Sequence, residues 1–253
     1  MNVLKNANDV RETHGYAGLW EEVANKTHEY ISAVPTLDTV CFNRSVRQLR
    51  RRMEQEESLD DVLDTTGTYY DPRGAYRGWG KYRTLWAKQE RAEIAAVAEA
   101  AAEIDPETVL EIGSLYGGTL YVWTRYLAPD NMIISVDKDH RGREQFFETF
   151  VSVTGAEMKL IEGSSYAEQT LQNVRQVLDE PIDFLYIDGD HSYDGVKRDF
   201  EAYSQFLADD GIVALHDVEN EETGVPTFWA ELEAEYDTRT VGTRTGRTGI
   251  VYR

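Results

Sequence analysis

The sequence predicts an α/β fold: a mostly parallel, doubly wound sheet with a C-terminal antiparallel hairpin, plus an N-terminal helical extension. Three observations carry this. From residue 108 onward short apolar runs alternate with helical segments, the pattern of βαβ units that build a parallel sheet. The tail departs from that pattern, because residues 237–243 and 248–252 flank Arg244-Thr-Gly-Arg, a glycine-containing turn that folds a hairpin onto the sheet edge. Residues 1–84 lack the alternation and read as helices around an aromatic loop.

Taken in order, helices are expected over 16–34, 39–57 and 85–104, the last rich in helix-favouring alanine. Between the second and third lies TTGTYYDPRGAYRGWGKYRTLW, residues 65–86, where Tyr69, Tyr70, Tyr76, Trp79, Tyr82 and Trp86 mix with glycines and with Arg73, Arg77 and Arg83. So aromatic a loop is either a packed strap over the domain or a substrate lid. The stretch LRRRMEQEE reads as a solvated helix face with internal ion pairs. Strands are expected at TVLEIG (108–113), MIISVD (132–137), MKLIEG (158–163), DFLYID (183–188) and GIVALHD (211–217), with helices over 118–127, 143–153, 166–178, 195–207 and 225–234. The expected division is a helical extension over 1–84 and the α/β domain over 85–253.

Composition bounds the function. The chain has 253 residues, 41% hydrophobic and 11% aromatic, with 19 Gly and 6 Pro, which excludes disordered and collagen-like classes. Lys+Arg 26 against Asp+Glu 46 gives a net charge of −20, a surface that repels phosphate backbones and anionic lipid, so neither nucleic acid nor membrane is an expected partner. Only 7 of the 26 basic residues are Lys, leaving 19 Arg. An acid-rich, Lys-poor surface suits a halophilic protein, because at about 1 M salt the Debye length is about 3 Å and carboxylate repulsion is screened; an ordinary acidic protein is the alternative. Cys41 is the single cysteine, which rules out an internal disulfide and fits a reducing cytoplasm. The N-terminus lacks the apolar core of a signal peptide, and the longest apolar stretch, IAAVAEAAAEI, is short and carries glutamates, so a cytoplasmic protein is expected. A homo-oligomer is left open.

Four short segments carry chemistry. Glu111-Ile-Gly-Ser-Leu-Tyr-Gly-Gly-Thr sits where the first strand turns into its helix; Gly113 and Gly117 let the backbone bend tightly and a ligand approach. Its spacing is not the G-x-G-x-x-G of dinucleotide binding. Asp137 ends the second strand, where a carboxylate lies beside the first turn and can accept both ribose hydroxyls of a nucleoside. The third segment runs Ile187-Asp-Gly-Asp-His-Ser-Tyr and the fourth Leu215-His-Asp-Val, at the ends of strands four and five. Adjacent strands lie about 4.8 Å apart, so Asp188 and Asp217 converge, and two such carboxylates call for a cation or a shared proton between them. Oxygen-rich ligation of that kind suits Mg²⁺ or Mn²⁺. His191 is placed to take a proton from a substrate hydroxyl as general base. The plainer alternative makes Asp188 and Asp217 loop caps and His191 a packing residue.

The order EIGSLYGGTL, SVD, DFLYIDGDHSYDGVKRD, GIVALHDV and GVPTFWAEL resembles the class I S-adenosylmethionine-dependent methyltransferases, with their Rossmann-like fold. Within them it is similar to the branch of cephalosporin-biosynthesis and macrolide-sugar O-methyltransferases, over roughly residues 85–253. The resemblance implies a sheet closed by one antiparallel strand. It also implies that Glu111, Gly113, Ser114 and Gly117 line the methionine end of S-adenosylmethionine, that Asp137 holds the ribose, and that Ser164 and Ser165 border the adenine. Metal-using relatives bind an ion through the acid matching Asp188 and a Glu-Asp pair at the fifth strand; here that pair is His216-Asp217, and an imidazole favours softer ions than Mg²⁺. His191 matches the base of the sugar-modifying relatives. The reaction so implied is methyl transfer to a hydroxyl of a small-molecule acceptor, held by Asp188 and Asp217, with Tyr76 and Trp79 as stacking candidates. A nicotinamide-dependent oxidoreductase, which the glycine spacing and the terminal hairpin disfavour, and a non-catalytic protein retaining a nucleoside-binding fold are the rival classes.

Overall fold

The computed structural model describes residues 27, 33–68, 78, 85–243 and 246–253. Most of the helix expected over 16–34, the aromatic residues Tyr69, Tyr70, Tyr76, Trp79 and Tyr82, and the first two residues of the tail turn lie outside the described residues.

Seven strands form one sheet: β1 (Thr108–Ile112), β2 (Met132–Asp137), β3 (Glu157–Glu162), β4 (Ile182–Ile187), β5 (Leu207–Leu215), β6 (Asp237–Gly242) and β7 (Arg247–Tyr252). Their order is β3-β2-β1-β4-β5-β7-β6. The first five run parallel, and β7 is antiparallel to both β5 and β6, the expected hairpin. The chain moves outward from β1 through β2 and β3 on one side and from β4 to β5 on the other. The crevice between the carboxyl ends of β1 and β4 is therefore the topological switch point, where ligands bind in such sheets.

Eight helices are described: α1 (Pro35–Met53), α2 (Leu59–Thr65), α3 (Arg91–Ala102), α4 (Gly118–Val122), α5 (Glu144–Phe147), α6 (Glu168–Val177), α7 (Tyr193–Tyr203) and α8 (Val225–Glu235), with α4 prolonged by a π turn over Trp123–Leu127. Side chains alternate along each central strand and divide the core in two. Val109, Ile133, Phe184 and Ile212 face Leu49, Leu63, Val97 and Trp123 from α1 to α4 and the π turn. Leu110, Ile134, Leu185 and Val213 face Val174, Val196, Phe200 and Trp229 from α6 to α8. Residues of α1 and α2 thus share one core with the sheet. A buried polar knot reinforces that contact: Glu56 accepts from Thr65 Oγ1 at 2.7 Å, Tyr121 OH at 2.6 Å and Arg125 Nε at 3.0 Å. Among the described residues no helix is long and apolar enough to cross a membrane.

Three expected helices differ in extent. The helix expected over 39–57 runs instead from Pro35 to Met53, and a separate one starts at Leu59, because Ser58 Oγ accepts the Asp61 amide at 3.3 Å while the Asp61 carboxylate takes the Glu57 amide and the Ser58 hydroxyl. The helix expected over 85–104 begins only at Arg91. Residues 85–90 are not helical: a single bridge pairs Gly67 with Trp86, Gly67 N donating to Leu85 O at 3.0 Å and Ala87 N to Gly67 O at 2.7 Å, and a bend follows at residues 88–89. Beyond Phe147 the expected helix gives way to turns held by bonds such as Thr149 N to Phe146 O, in a run of aromatic and β-branched residues poor at helix formation.

Candidate active site

A cavity of about 590 Å³ opens at the carboxyl ends of β1, β2, β4 and β5. That is the size of a small-molecule or cofactor site. Its wall carries six carboxylates (Glu90, Glu93, Asp137, Asp188, Asp190, Asp217) against two lysines (Lys88, Lys138), so a cation gains from entering.

One end is built on β1 and β2. Gly113, with φ 92°, follows β1, and a Cβ there would sit 2.1 Å from the Asp188 carbonyl oxygen. Close approach of β4, more than access for a ligand, is what requires glycine at this position. Leu115 has φ 47°, and its amide donates to Asp137 Oδ2 at 2.8 Å, while Asp139 N donates to Oδ1 at 3.0 Å. The carboxylate expected beside the first turn is thus anchored there by two backbone amides. Gly113, Ser114, Asp137 and Ser165 line the cavity. The hydroxyls of Ser114 and Ser164 are buried and make no hydrogen bond.

Three residues expected on this wall stand behind it. Glu111 is fully buried, with one carboxylate oxygen bonded to the Thr119 hydroxyl and the other unpartnered; burial pushes its carboxyl up to about 8. Gly117, at φ 76°, packs where a Cβ would lie 2.6 Å from the Phe147 ring. Ser164 is also off the wall.

The other end is built on β4 and β5. Asp188 N donates to Ile112 O at 2.9 Å, which continues the β1–β4 ladder by one residue and holds its carboxylate over the crevice. The loop that follows is pinned by Ser192, which caps α7, and by Gly224 N donating to His191 O at 2.8 Å. His216 still pairs with β4 through Ile187 O at 3.1 Å; Asp217 then turns into the left-handed region at φ 66°, where aspartate is tolerated, and swings its carboxylate toward His191.

The result is an interlocked cluster. His191 Nδ1 lies 2.9 Å from Asp217 Oδ2 and its Nε2 lies 3.3 Å from Asp188 Oδ1. His216 Nδ1 lies 2.9 Å from the same Asp188 oxygen and its Nε2 lies 3.5 Å from Glu93 Oε1. Hydrogen bonds to Asp188 and Asp217 raise His191 to about 9. Burial alone would lower His216, but Asp188 and then Glu93 hold it well above the usual histidine range. Burial works to raise the Asp188 carboxyl; the imidazoles, His216 first, outweigh it and hold it well below the carboxylate range.

His191, expected as the general base, has both ring nitrogens facing carboxylates, Nδ1 at 2.9 Å from Asp217 and Nε2 at 3.3 Å from Asp188. The convergence of Asp188 and Asp217 is met differently as well. Asp188, His191 and His216 form the group able to hold an ion, with one ligand atom each within 4.8 Å of one another. Asp217 is committed to His191 and to Asn220 Nδ2, which donates to it at 3.1 Å.

Two residues of this end were not foreseen. Gln89, from the non-helical segment before α3, donates to Asp188 Oδ2 at 2.5 Å. Glu93, 1% exposed, accepts from Thr248 Oγ1 at 2.8 Å while facing His216. A signal for Glu93 existed: it shares the buried face of α3 with Ile94, Val97 and Ala101, and a carboxylate on an apolar helix face needs a polar reason.

Comparison with known proteins agrees with this architecture. Residues 110–218 match a family described as a methyltransferase domain. Two curated relatives are similar: uncharacterized protein y4gI of Sinorhizobium fredii, 28% identical over 51% of this chain and 15% of its own length, and uncharacterized protein R132 of Acanthamoeba polyphaga mimivirus, 27% identical over 47% and 54%. The chain therefore spans only part of the curated relatives it matches. Among solved structures, the apo form of CalS11, described as a TDP-rhamnose 3'-O-methyltransferase of calicheamicin biosynthesis, superposes with a TM-score of 0.51 at 16% identity, covering 62% of this chain and 77% of that one. An O-methyltransferase from Bacillus cereus in complex with SAH gives 0.49 at 16% identity, covering 62% and 79%. The segment similar to that methyltransferase-domain family runs from β1 to just past Asp217 and so includes the strand ends that form both halves of the cavity.

Proposed function

We propose that this protein transfers the methyl group of S-adenosylmethionine to a hydroxyl of a small molecule. The observation that carries the reading is the single cavity shape spanning both ends: an anchored carboxylate for ribose at Asp137 and, across the same space, a polar cluster at Asp188 and His191. The residues present fit the donor. Asp137 offers the ribose its acceptor oxygens, Ser114 and Gly113 face the methionine end, and Ser165 borders the adenine; the acid-rich wall favours a cationic sulfonium. Bound there, S-adenosylmethionine supplies an electrophilic methyl group, and the products are the methylated hydroxyl and S-adenosylhomocysteine.

The chain's contribution is mainly alignment. Fixing an acceptor oxygen in a near-attack position is worth up to about 7–11 kcal/mol of barrier. The positive charge of the His191 and His216 rings, balanced by Asp188, polarises an acceptor hydroxyl placed against the cluster. Asp217, on the cavity wall, receives the proton; its Oδ2 is held by His191 and Asn220, and its Oδ1 lies 3.6 Å from His216 Nε2. A carboxylate suffices for this because an oxygen gaining a methyl group becomes strongly acidic.

The excess of acids adds a condition. The protein carries −20 overall, so a neutral acceptor is favoured over an anionic one, and we assign the surface to a saline cytoplasm, where screening removes most of the repulsion. Calorimetry in molar KCl tests the reading: S-adenosylmethionine and S-adenosylhomocysteine should each bind at one site, NADH should not, and mass spectrometry of a panel of hydroxylated acceptors should show gain of one methyl group. Absence of S-adenosylmethionine binding would reject the proposal.

A further inference from the structure

Asp199, on α7, is a buried carboxylate that neither the methyl transfer nor the Asp188 cluster uses. It is 0% exposed, and both of its carboxylate oxygens are buried with no hydrogen-bond partner among the described residues. An acid in that position calls for a specific cause. In front of it lies the cavity wall. A Cβ on Gly189, a wall residue, would sit 3.1 Å from Asp199 Oδ2. The hydroxyl of Ser165, also on the wall, stands near enough to stabilise the carboxylate, without the alignment of a full hydrogen bond.

One face of α7 holds Ser165 by both its backbone and its side chain. Tyr203, four residues after Asp199 and so on the same side of the helix, donates its buried hydroxyl to Ser165 O at 2.8 Å, while Asp199 faces the serine hydroxyl. Two buried polar residues of one helix are thus committed to a single serine of the wall. The charge on Asp199 then settles which way that hydroxyl turns. Burial pushes the carboxyl up to about 6; the Ser165 hydroxyl opposes the rise, Asp190 adds to it and Lys138 opposes it, so at neutral pH the group is mostly ionised. An ionised carboxylate only accepts, so the Ser165 O–H turns inward and the lone pairs of Oγ turn to the cavity. A serine without such a neighbour would donate or accept as its ligand required.

We propose that Asp199 is a positioning residue that fixes Ser165 as a hydrogen-bond acceptor on the cavity wall, and so selects a purine carrying an exocyclic amine over one carrying a carbonyl at the same place. The inference rests on the methyltransferase reading for the placement of the base beside Ser165. The amine of adenine donates to Oγ, whereas the carbonyl of hypoxanthine would set lone pairs against lone pairs and leave both oxygens unpaired. Amine and carbonyl are nearly the same size, so polarity discriminates here where shape cannot.

The test is calorimetry of the full chain in molar KCl with two probes: S-adenosylhomocysteine, and S-inosylhomocysteine, in which a carbonyl replaces the amine. The wild type should prefer the first by at least about 100-fold. Asp199→Asn should cut that preference about tenfold, since an amide serves the hydroxyl as donor or acceptor and lets it turn either way. Asp199→Leu, similar in volume and unable to accept, repeats the test without an amide. Ser165→Ala should also cut the preference, and adding it to Asp199→Asn should cut it no further. Tyr203→Phe should weaken both ligands alike and leave the preference intact. Circular dichroism confirms folding, and Asp199→Asn decides alone if the leucine variant does not fold. Equal weakening of both nucleosides by a folded Asp199 variant, with the preference intact, would overturn the proposal and make Asp199 structural. A wild type that binds S-adenosylhomocysteine without preference removes this inference alone; one that binds neither nucleoside removes the methyltransferase reading with it.

Discussion

The two ends of the cavity are made on opposite principles. Around Asp137 the backbone does the holding: two amides fix the carboxylate, and the serine hydroxyls of Ser114 and Ser164 have no protein partner. Around Asp188 side chains hold side chains, and every charged group of the cluster already faces an opposite charge. A buried polar atom without a partner costs about 1–3 kcal/mol, so the first end, where the Ser114 hydroxyl lines the cavity, is incomplete until a hydrogen-bonding ligand arrives. The second end is already complete in charge. The difference teaches that one site recognises by leaving bonds unmade and the other by arranging charges beforehand.

Substitutions break this comparison in a definite order. Gly113→Ala should do most, since its Cβ would strike the Asp188 carbonyl and its φ of 92° is strained for any side chain; urea unfolding should show a loss of about 3–5 kcal/mol, and binding at both ends should fall together. Asp188→Asn comes next and should separate the ends: turnover down at least about 100-fold in steady-state assays, with S-adenosylmethionine affinity changed less than about threefold by calorimetry. Asp137→Ala is the mirror case, with S-adenosylmethionine affinity reduced about 10–100-fold by calorimetry and kcat at saturating S-adenosylmethionine changed less than about threefold. An equal loss of affinity and turnover in either single variant would show the ends to be one unit.

The smallest expected effect lies beneath the wall. Glu111 is raised to about 8 in the folded chain by burial and, more weakly, by the charges of Asp188 and Asp137. A carboxyl raised on folding contributes stability that is fully present below its unfolded value near 4.5 and is lost as pH rises through the folded value. Wild-type stability should therefore decline between about pH 4.5 and 8, and Glu111→Gln should flatten the decline, read from urea unfolding across that range. A steeper slope in the variant would mean that Glu111 is ionised and paired.

The strand ends were legible because β2, β4 and β5 close buried apolar runs at or just before a polar residue, and Asp137, Asp188 and His216 stand where those runs stop. What local pattern did not carry was the partner of each group. Asp217 was read as facing Asp188, yet a left-handed backbone turn directs it to His191, and no periodicity announces such a turn. Helix propensity concealed residues 85–90, where Gly67 captures Ala87 and Leu85 in a single bridge from a position about 20 residues away in the chain. Gln89 therefore entered the site from a stretch read as helical.

That non-helical stretch also sets a limit on how the domain is cut. Gln89 and Glu93 precede the matched segment 110–218 and Thr248 follows it, yet all three reach the histidine end, while Asp137, Ser114 and Ser165 lie within it. A fragment trimmed to the family boundaries would retain the Asp137 half of the cavity and surrender the scaffolding of the other half. For anyone grafting or minimising this domain, the smallest transferable unit of chemistry is longer than the smallest recognisable unit of sequence.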